Sequence, residues 1–383
     1  MLSVACFLLL CCSLTAQTQH KNVFYIGHSI CGTTMPNMVD DIAIDAGHAH
    51  SFDHQLIWGA CLSKSWDQHA SANVVGTDSW TALESGNFDV VTLIELIPLT
   101  EVINSLPIAG CNYSSTDVAG WFYDLAATHN PEVEVYFVEV WNEFNRNAPT
   151  AFSDWKQANN AQLNLYEDVV NAVNNEHNGR MGIIPVRLAL QAVADSIEAG
   201  SVPGMSSWLE LFDSTDVPAV TVHLSDVGNY VSALVYYATI YQASPVGLTH
   251  ITVDEDGFDY PSPSPAAAAA MQEIVWEVVE NYSYARPQEP VGLSSANNSR
   301  QETLSIFPNP TNAGIVVEAA NDATIMQLRV LEPTGRVVRN APITPSAQRQ
   351  TVQLDDLPNG WYLLEVTTNA GVALHKVVKH QAN

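Results

Sequence analysis

Positive charge is what this chain has least of. Its 383 residues include 14 lysines and arginines, five of them lysine, against 41 aspartates and glutamates, a formal net charge of −27. A surface of that sign repels phosphate, which excludes nucleic-acid binding through a basic face and disfavours anionic membrane surfaces. Long hydrophobic runs are missing beyond the first sixteen residues, and nothing later approaches the roughly 18 apolar residues of a spanning helix. Cysteine is scarce, six in all, at spacings that fit no zinc site. Among the histidines His48, His50, His54 and His69 there is no coherent ligand spacing, and His48 and His50 alternate rather than share a helical face. No metal or other cofactor is therefore expected. Apolar residues are not lacking: at 47% of the chain they suffice for a packed core and exclude disorder.

The apolar run at residues 1–16 ends in the small residue Ala16. It is too short to span a bilayer and fits a cleavable signal peptide, although it carries no Lys or Arg before the run. The remaining chain would begin near Gln17. Cys6, Cys11 and Cys12 would leave with the signal, so Cys31, Cys61 and Cys111 remain for one disulfide and one free thiol. Which two pair stays open; a bridge to Cys31 would brace the loop around Ser29.

Composition divides the rest. Residues 1–302 hold 35 acidic and 8 basic side chains, whereas residues 303–383 hold 6 of each. The segment 286–302, rich in Pro, Gly, Ser and Asn, reads as a linker between a domain at 17–285 and a second at 303–383. In the first, short apolar runs (Val23–Ile26, Gln55–Trp58, Val90–Ile97, Val133–Val140) alternate with helical patterns at Met35–Ala46, Thr116–His129, Ser153–His177, Val227–Gln242 and Ala266–Tyr282, with Ser153 as an N-cap. Strand alternating with helix predicts an α/β fold, a parallel sheet flanked by helices on both faces, whose site lies beyond the carboxyl ends of the strands. In the second, seven short runs separated by turn residues predict a small antiparallel β-sandwich with Phe307 and Tyr362 in its core.

At the first strand end stands Gly27-His28-Ser29-Ile30. A serine between a strand and a helix presents its hydroxyl at the sheet edge, next to free backbone N–H groups able to hold an oxyanion. A hydroxyl nucleophile needs a base, and the best candidate is His223, just before a helix near the end of the domain. These two segments resemble the first and last blocks of the SGNH (GDSL-like) hydrolases, with His28 in place of the usual Asp. The resemblance spans about residues 22–285 and implies a flavodoxin-like sheet and ester hydrolysis through an acyl-enzyme. It makes Ser29 the nucleophile and an oxyanion donor, His223 the base, and Gly59 the glycine of the second block. Two positions depart from the pattern. Val220 stands where an Asp should precede the histidine, leaving Asp216 or Asp213 to orient the imidazole, and Glu95 stands near the expected Asn donor, where an ionised carboxylate cannot donate.

Two other readings compete. Glu139 and Glu143, in a Val-Trp-Asn-Glu context, resemble the strand-end acids of retaining glycosidases, with Asp254 or Glu255 after an apparent strand at 249–253 as the second carboxylate. Within the α/β reading, Glu95, Glu139 and Glu143 are candidate substrate contacts. The third reading is a surface-displayed binding protein that kept the fold and lost catalysis. The tail segments Leu304–Gly314, Leu357–Tyr362 and Ala373–Lys379 resemble the type IX secretion C-terminal sorting domain, which implies the type IX machinery as partner and a secreted or surface-attached protein. The combined expectation is a secreted serine esterase cleaving a small ester, such as an acyl group on an extracellular polysaccharide.

Overall fold

The computed structural model describes residues 18–97, 99, 110–162, 164–177 and 179–287. It also describes 304–379 except 310, 320–323, 332–336, 345–347 and 369–370. The expected signal segment and most of the expected linker lie outside the described residues. The chain forms two compact units, Met1–Leu293 and Ser294–Asn383.

The first unit is built on a six-stranded sheet of β1 (His20–Gly27), β2 (Ala49–Leu56), β3 (Val75–Gly76), β4 (Val90–Leu93), β5 (Glu134–Val138) and β6 (Gly182–Ile184), in the order β3-β2-β1-β4-β5-β6. All pairings are parallel except that of the short edge strand β3. Without β3, the parallel strands run 2-1-3-4-5 in chain order, the flavodoxin-like arrangement, whose switch point falls between β1 and β4. Central β1 is apolar on both sides, with Val23, Phe24, Tyr25 and Ile26 all fully buried, because helices cover both faces.

On one face α1 (Thr34–Asp45), α7 (Val186–Glu198), α8 (Asp226–Tyr241) and α9 (Pro265–Asn281) pack together. There Tyr25 meets Tyr236 at a ring distance of 5.8 Å. On the other lie α2 (Leu62–Asp67), α3 (Ser79–Glu84), α4 (Ser115–His129) and α6 (Leu165–Glu176), with Phe137 5.7 Å from Tyr166. Helix α1 shows why such segments are helical: Met35, Met38, Val39, Ile42 and Ala43 fall on one face and are buried. Helix α8 carries thirteen buried residues. Its Gly228 is obligatory, since a Cβ there would lie 2.1 Å from the Leu211 carbonyl oxygen. Among the described residues no helix is long and apolar enough to cross a membrane.

Several expected elements change. Strand β2 begins at Ala49, six residues before the apolar run, because all but its last two residues are exposed or only partly covered and tolerate His50, Asp53 and His54. The single helix expected over 153–177 is two, α5 (Ala151–Asn160) and α6, and Ser153 lies inside α5, where its hydroxyl donates to the Thr150 carbonyl. Residues 249–253 form a loop fastened to α1 through Asp41 and Asp45 rather than a strand. The open six-stranded sheet is not a closed barrel, so the glycosidase reading loses its scaffold. Helices α2, α3 and α7 were not anticipated.

The second unit has the expected seven strands, arranged as antiparallel sheets of four (Val337–Ala341, Ile325–Leu331, Gly360–Thr368, Gly371–Lys379) and three (Arg349–Gln353, Gly314–Ala319, Leu304–Phe307). Ile315, Val317, Leu328, Val352, Leu364 and Val366 form its core. Tyr362 is buried, as expected, with its hydroxyl on the Pro358 carbonyl. Phe307 is not: it is 41% exposed and lies beneath the Arg349 guanidinium.

The disulfide joins Cys61 to Cys111, leaving Cys31 a buried free thiol. The bridge therefore braces the segment after Gly59, not the Ser29 loop. Closing 50 residues restricts the unfolded chain, an effect of about 4 kcal/mol in the chain-entropy account. Replacing both cysteines by alanine is expected to lower the unfolding free energy in urea by about 3–4 kcal/mol.

Candidate active site

Strand β1 ends at Gly27, and the chain turns at once: the His28 carbonyl accepts the amides of Cys31 (3.0 Å) and Gly32 (3.2 Å). This tight turn lifts Ser29 to the carboxyl edge of the sheet, partly exposed, at the β1/β4 switch point. His223 arrives from a segment 194 positions away, and its Nε2 lies 3.0 Å from Ser29 Oγ. Its Nδ1 is 2.8 Å from Asp216 Oδ1. A proton on Nδ1, donated to that carboxylate, leaves Nε2 as acceptor for the serine hydroxyl.

Asp216 is fixed by more than the imidazole. Its other oxygen accepts the amides of Val222 and His223, both at 2.8 Å. Burial alone would raise its pKa, but these bonds and the His223 ring hold it below the usual carboxylate value. The acid is supplied seven residues before the histidine. Asp213, the other candidate, instead accepts the Thr215 amide and hydroxyl, and Val220, at the family position, is exposed.

The His223 segment is clamped from its flank. Phe144 and Thr221 pair as an antiparallel bridge, Trp141 Nε1 donates to the Val222 carbonyl at 2.7 Å, and Arg146 Nε donates to Thr221 Oγ1 at 2.9 Å. The Arg146 guanidinium also holds the Asp213 carbonyl. None of these contacts was legible in the sequence, because each depends on two loops meeting. Beside them opens a cavity of about 630 Å³ lined in part by Arg146, Phe212, Asp213, Leu224 and Asp226.

Gly59 lies in the turn after β2, at φ +66°, a left-handed conformation that glycine adopts freely. That turn is tied to the Ser29 strand by the Ile57 amide on the Gly27 carbonyl, 3.0 Å. Among the described residues the Ser29 and Gly59 amides donate to no partner.

Two of the three glutamates, Glu95 and Glu139, behave differently from expectation. Glu95 is 2% exposed: it accepts the Leu62 and Leu96 amides and the Ser115 hydroxyl. Glu139 is fully buried in an ion pair with Arg187, also fully buried. Neither meets substrate, because both carboxylates face the interior. Burial pushes both pKa values up, opposed in Glu139 by the Arg187 charge and in Glu95 by its three donors. Only Glu143 is exposed. Of the histidines outside the site, His48 stacks on Tyr241 and His69 on Trp80.

His28, where the family pattern has Asp, is 1% exposed and donates Nε2–H to the Glu95 carbonyl at 3.2 Å. Burial lowers its pKa to about 4, so it is neutral at pH 7. In the unfolded chain a histidine titrates near 6.5, so between 6.5 and 4 the unfolded state binds the extra proton. The stability held above pH 6.5 is then lost as pH falls, by roughly 3 kcal/mol. Denaturation curves across this window should show that loss, and His28→Asn should flatten it.

Residues 305–380 match the family described as the secretion system C-terminal sorting domain. No curated protein matches the chain. Among solved structures, it is similar to a DUF4886 family protein from Bacteroides uniformis, at 15% identity over 68% of this chain and 95% of that one, TM-score 0.44. It is also similar to a putative GDSL-like lipase from Parabacteroides merdae (11% identity, 57% and 94% covered, TM-score 0.35). A third is an acetyl xylan esterase from Geobacillus stearothermophilus (14% identity, 58% and 93% covered, TM-score 0.32). The C-terminal unit is thus a type IX sorting domain, and it directs the protein across the outer membrane to the cell surface or the extracellular space.

Proposed function

We propose that the N-terminal unit is a serine hydrolase that cleaves small carboxylic esters through an acyl-enzyme. The observation that carries this reading is the hydrogen-bonded series Ser29 Oγ, His223 Nε2, His223 Nδ1, Asp216 Oδ1, at 3.0 and 2.8 Å. Nucleophile, base and orienting acid stand in the order that acyl transfer needs.

In this mechanism Ser29 Oγ attacks the ester carbonyl carbon while His223 Nε2 takes the hydroxyl proton. Asp216 holds the imidazole in place and stabilises the imidazolium. Negative charge develops on the former carbonyl oxygen, and the Ser29 and Gly59 amides donate to it. Collapse breaks the bond to the alcohol oxygen, which leaves with the proton from His223. Water, deprotonated by His223, then attacks the acyl-serine; the tetrahedral species collapses to the free acid, and the proton returns to Ser29. The surface or extracellular location supports an acyl group on an extracellular polysaccharide as substrate. The acidic chain favours a neutral over an anionic one.

The test is hydrolysis of 4-nitrophenyl acetate and butyrate. Ser29→Ala should lower kcat at least 10³-fold, and Asp216→Asn about 10³- to 10⁴-fold, with circular dichroism unchanged. Equal rates in wild type and Ser29→Ala would refute the assignment and favour the binding-protein reading.

A further inference from the structure

We propose that Glu95 is a positioning residue for the oxyanion hole, fixing the Ser29 and Gly59 amides relative to one another. The inference rests on the hydrolase reading above. Glu95 follows β4, which pairs with β1 through Ile26 and Leu93 and extends to an Ile94 amide bond with the Ile26 carbonyl at 2.9 Å. It therefore emerges at the switch point, next to the Ser29 turn. Its main-chain carbonyl accepts His28 Nε2–H at 3.2 Å, which fixes the residue immediately before the serine. Its side chain reaches the other loop: Oε1 accepts the Leu62 amide at 2.9 Å, three residues after Gly59. The same oxygen accepts the Leu96 amide at 2.7 Å, and Oε2 accepts the Ser115 hydroxyl at 2.8 Å.

Hydrophobic packing does not account for this residue, since burying a carboxylate without a cationic partner is costly. Its three donors make it a rigid peg instead. The upstream side of the Gly59 turn is held by Ile57 on Gly27 and by the Ala60 amide on the Ile57 carbonyl, 3.1 Å. The downstream side is held by Glu95 and by the Cys61–Cys111 bridge. Where the family pattern expects an asparagine that itself donates to the oxyanion, this chain has an acceptor that orders two backbone donors. A displacement of about 1 Å in such a site can cost about 10²-fold in rate.

The experiment compares wild type, Glu95→Gln, Glu95→Leu and Ser115→Ala in the full chain, measuring kcat and KM on 4-nitrophenyl acetate and the affinity of phenylboronic acid, whose tetrahedral adduct on a serine mimics the intermediate. Glu95→Leu keeps the size and removes the acceptors. It should lower kcat and boronate affinity together by about 100-fold while KM changes less than about twofold. Glu95→Gln, which keeps an acceptor for Leu62 and Leu96, should recover kcat to within about tenfold of wild type. Ser115→Ala should lower kcat about fivefold, and decides the matter if the leucine variant does not fold. A folded variant that loses thermal stability but keeps wild-type kcat and boronate affinity overturns the positioning role. Wild-type protein that hydrolyses no ester overturns the hydrolase reading, and this inference with it, before any change at Glu95.

Discussion

The hydrogen bond between His223 Nε2 and Ser29 Oγ joins side chains 194 positions apart, and most of the first unit's architecture bears on it. Ser29 is placed by a central parallel strand with no exposed residue from Val23 to Ile26. His223 is placed by a helix whose N-cap, Ser225, accepts the Gly228 amide at 3.2 Å and donates to the Glu210 carbonyl at 2.7 Å. Between them, Trp141, Phe144 and Arg146 fasten the histidine segment to the loop beyond β5. A bond of this kind is worth little by itself in water. It persists because the rigid elements on either side leave the two side chains facing one another.

Charge is handled differently inside and out. The surface is strongly acidic, yet the buried acids are neutralised or saturated with donors: Glu139 by Arg187, Glu95 by two amides and a hydroxyl. Asp216 is intermediate, low in pKa because three donors reach it and partly exposed beside a histidine that meets solvent. His28 is kept neutral by burial, so the ring before Ser29 adds no positive charge beside His223. Two of the acids expected to touch substrate, Glu95 and Glu139, are instead buried among partners of the fold itself.

What the sequence showed and what it hid follow from the range of the interactions involved. The α/β class, the parallel strands and the sandwich tail were legible because they rest on local periodicity and turn chemistry. Ser29 and His223 were legible because each sits in a short block next to a strand end or a helix start. Asp216 could be named only as one of two upstream acids, since which carboxylate meets the ring depends on the turn at 213–220. Glu95 and Glu139 were misplaced because burial is tertiary, and a strand-end glutamate looks the same in sequence whether it faces a cleft or an arginine. The break between α5 and α6 was invisible because apolar spacing continues across it.

All of the proposed chemistry depends on Ser29 being an activated nucleophile. The most direct measurement is reaction of the purified chain with a fluorophosphonate, followed by mass spectrometry of the intact protein and its peptides. One adduct per chain is expected, on the peptide containing Ser29, and none in His223→Ala on the same time scale. No adduct on the native wild-type protein, or an adduct on a serine other than Ser29, would contradict it.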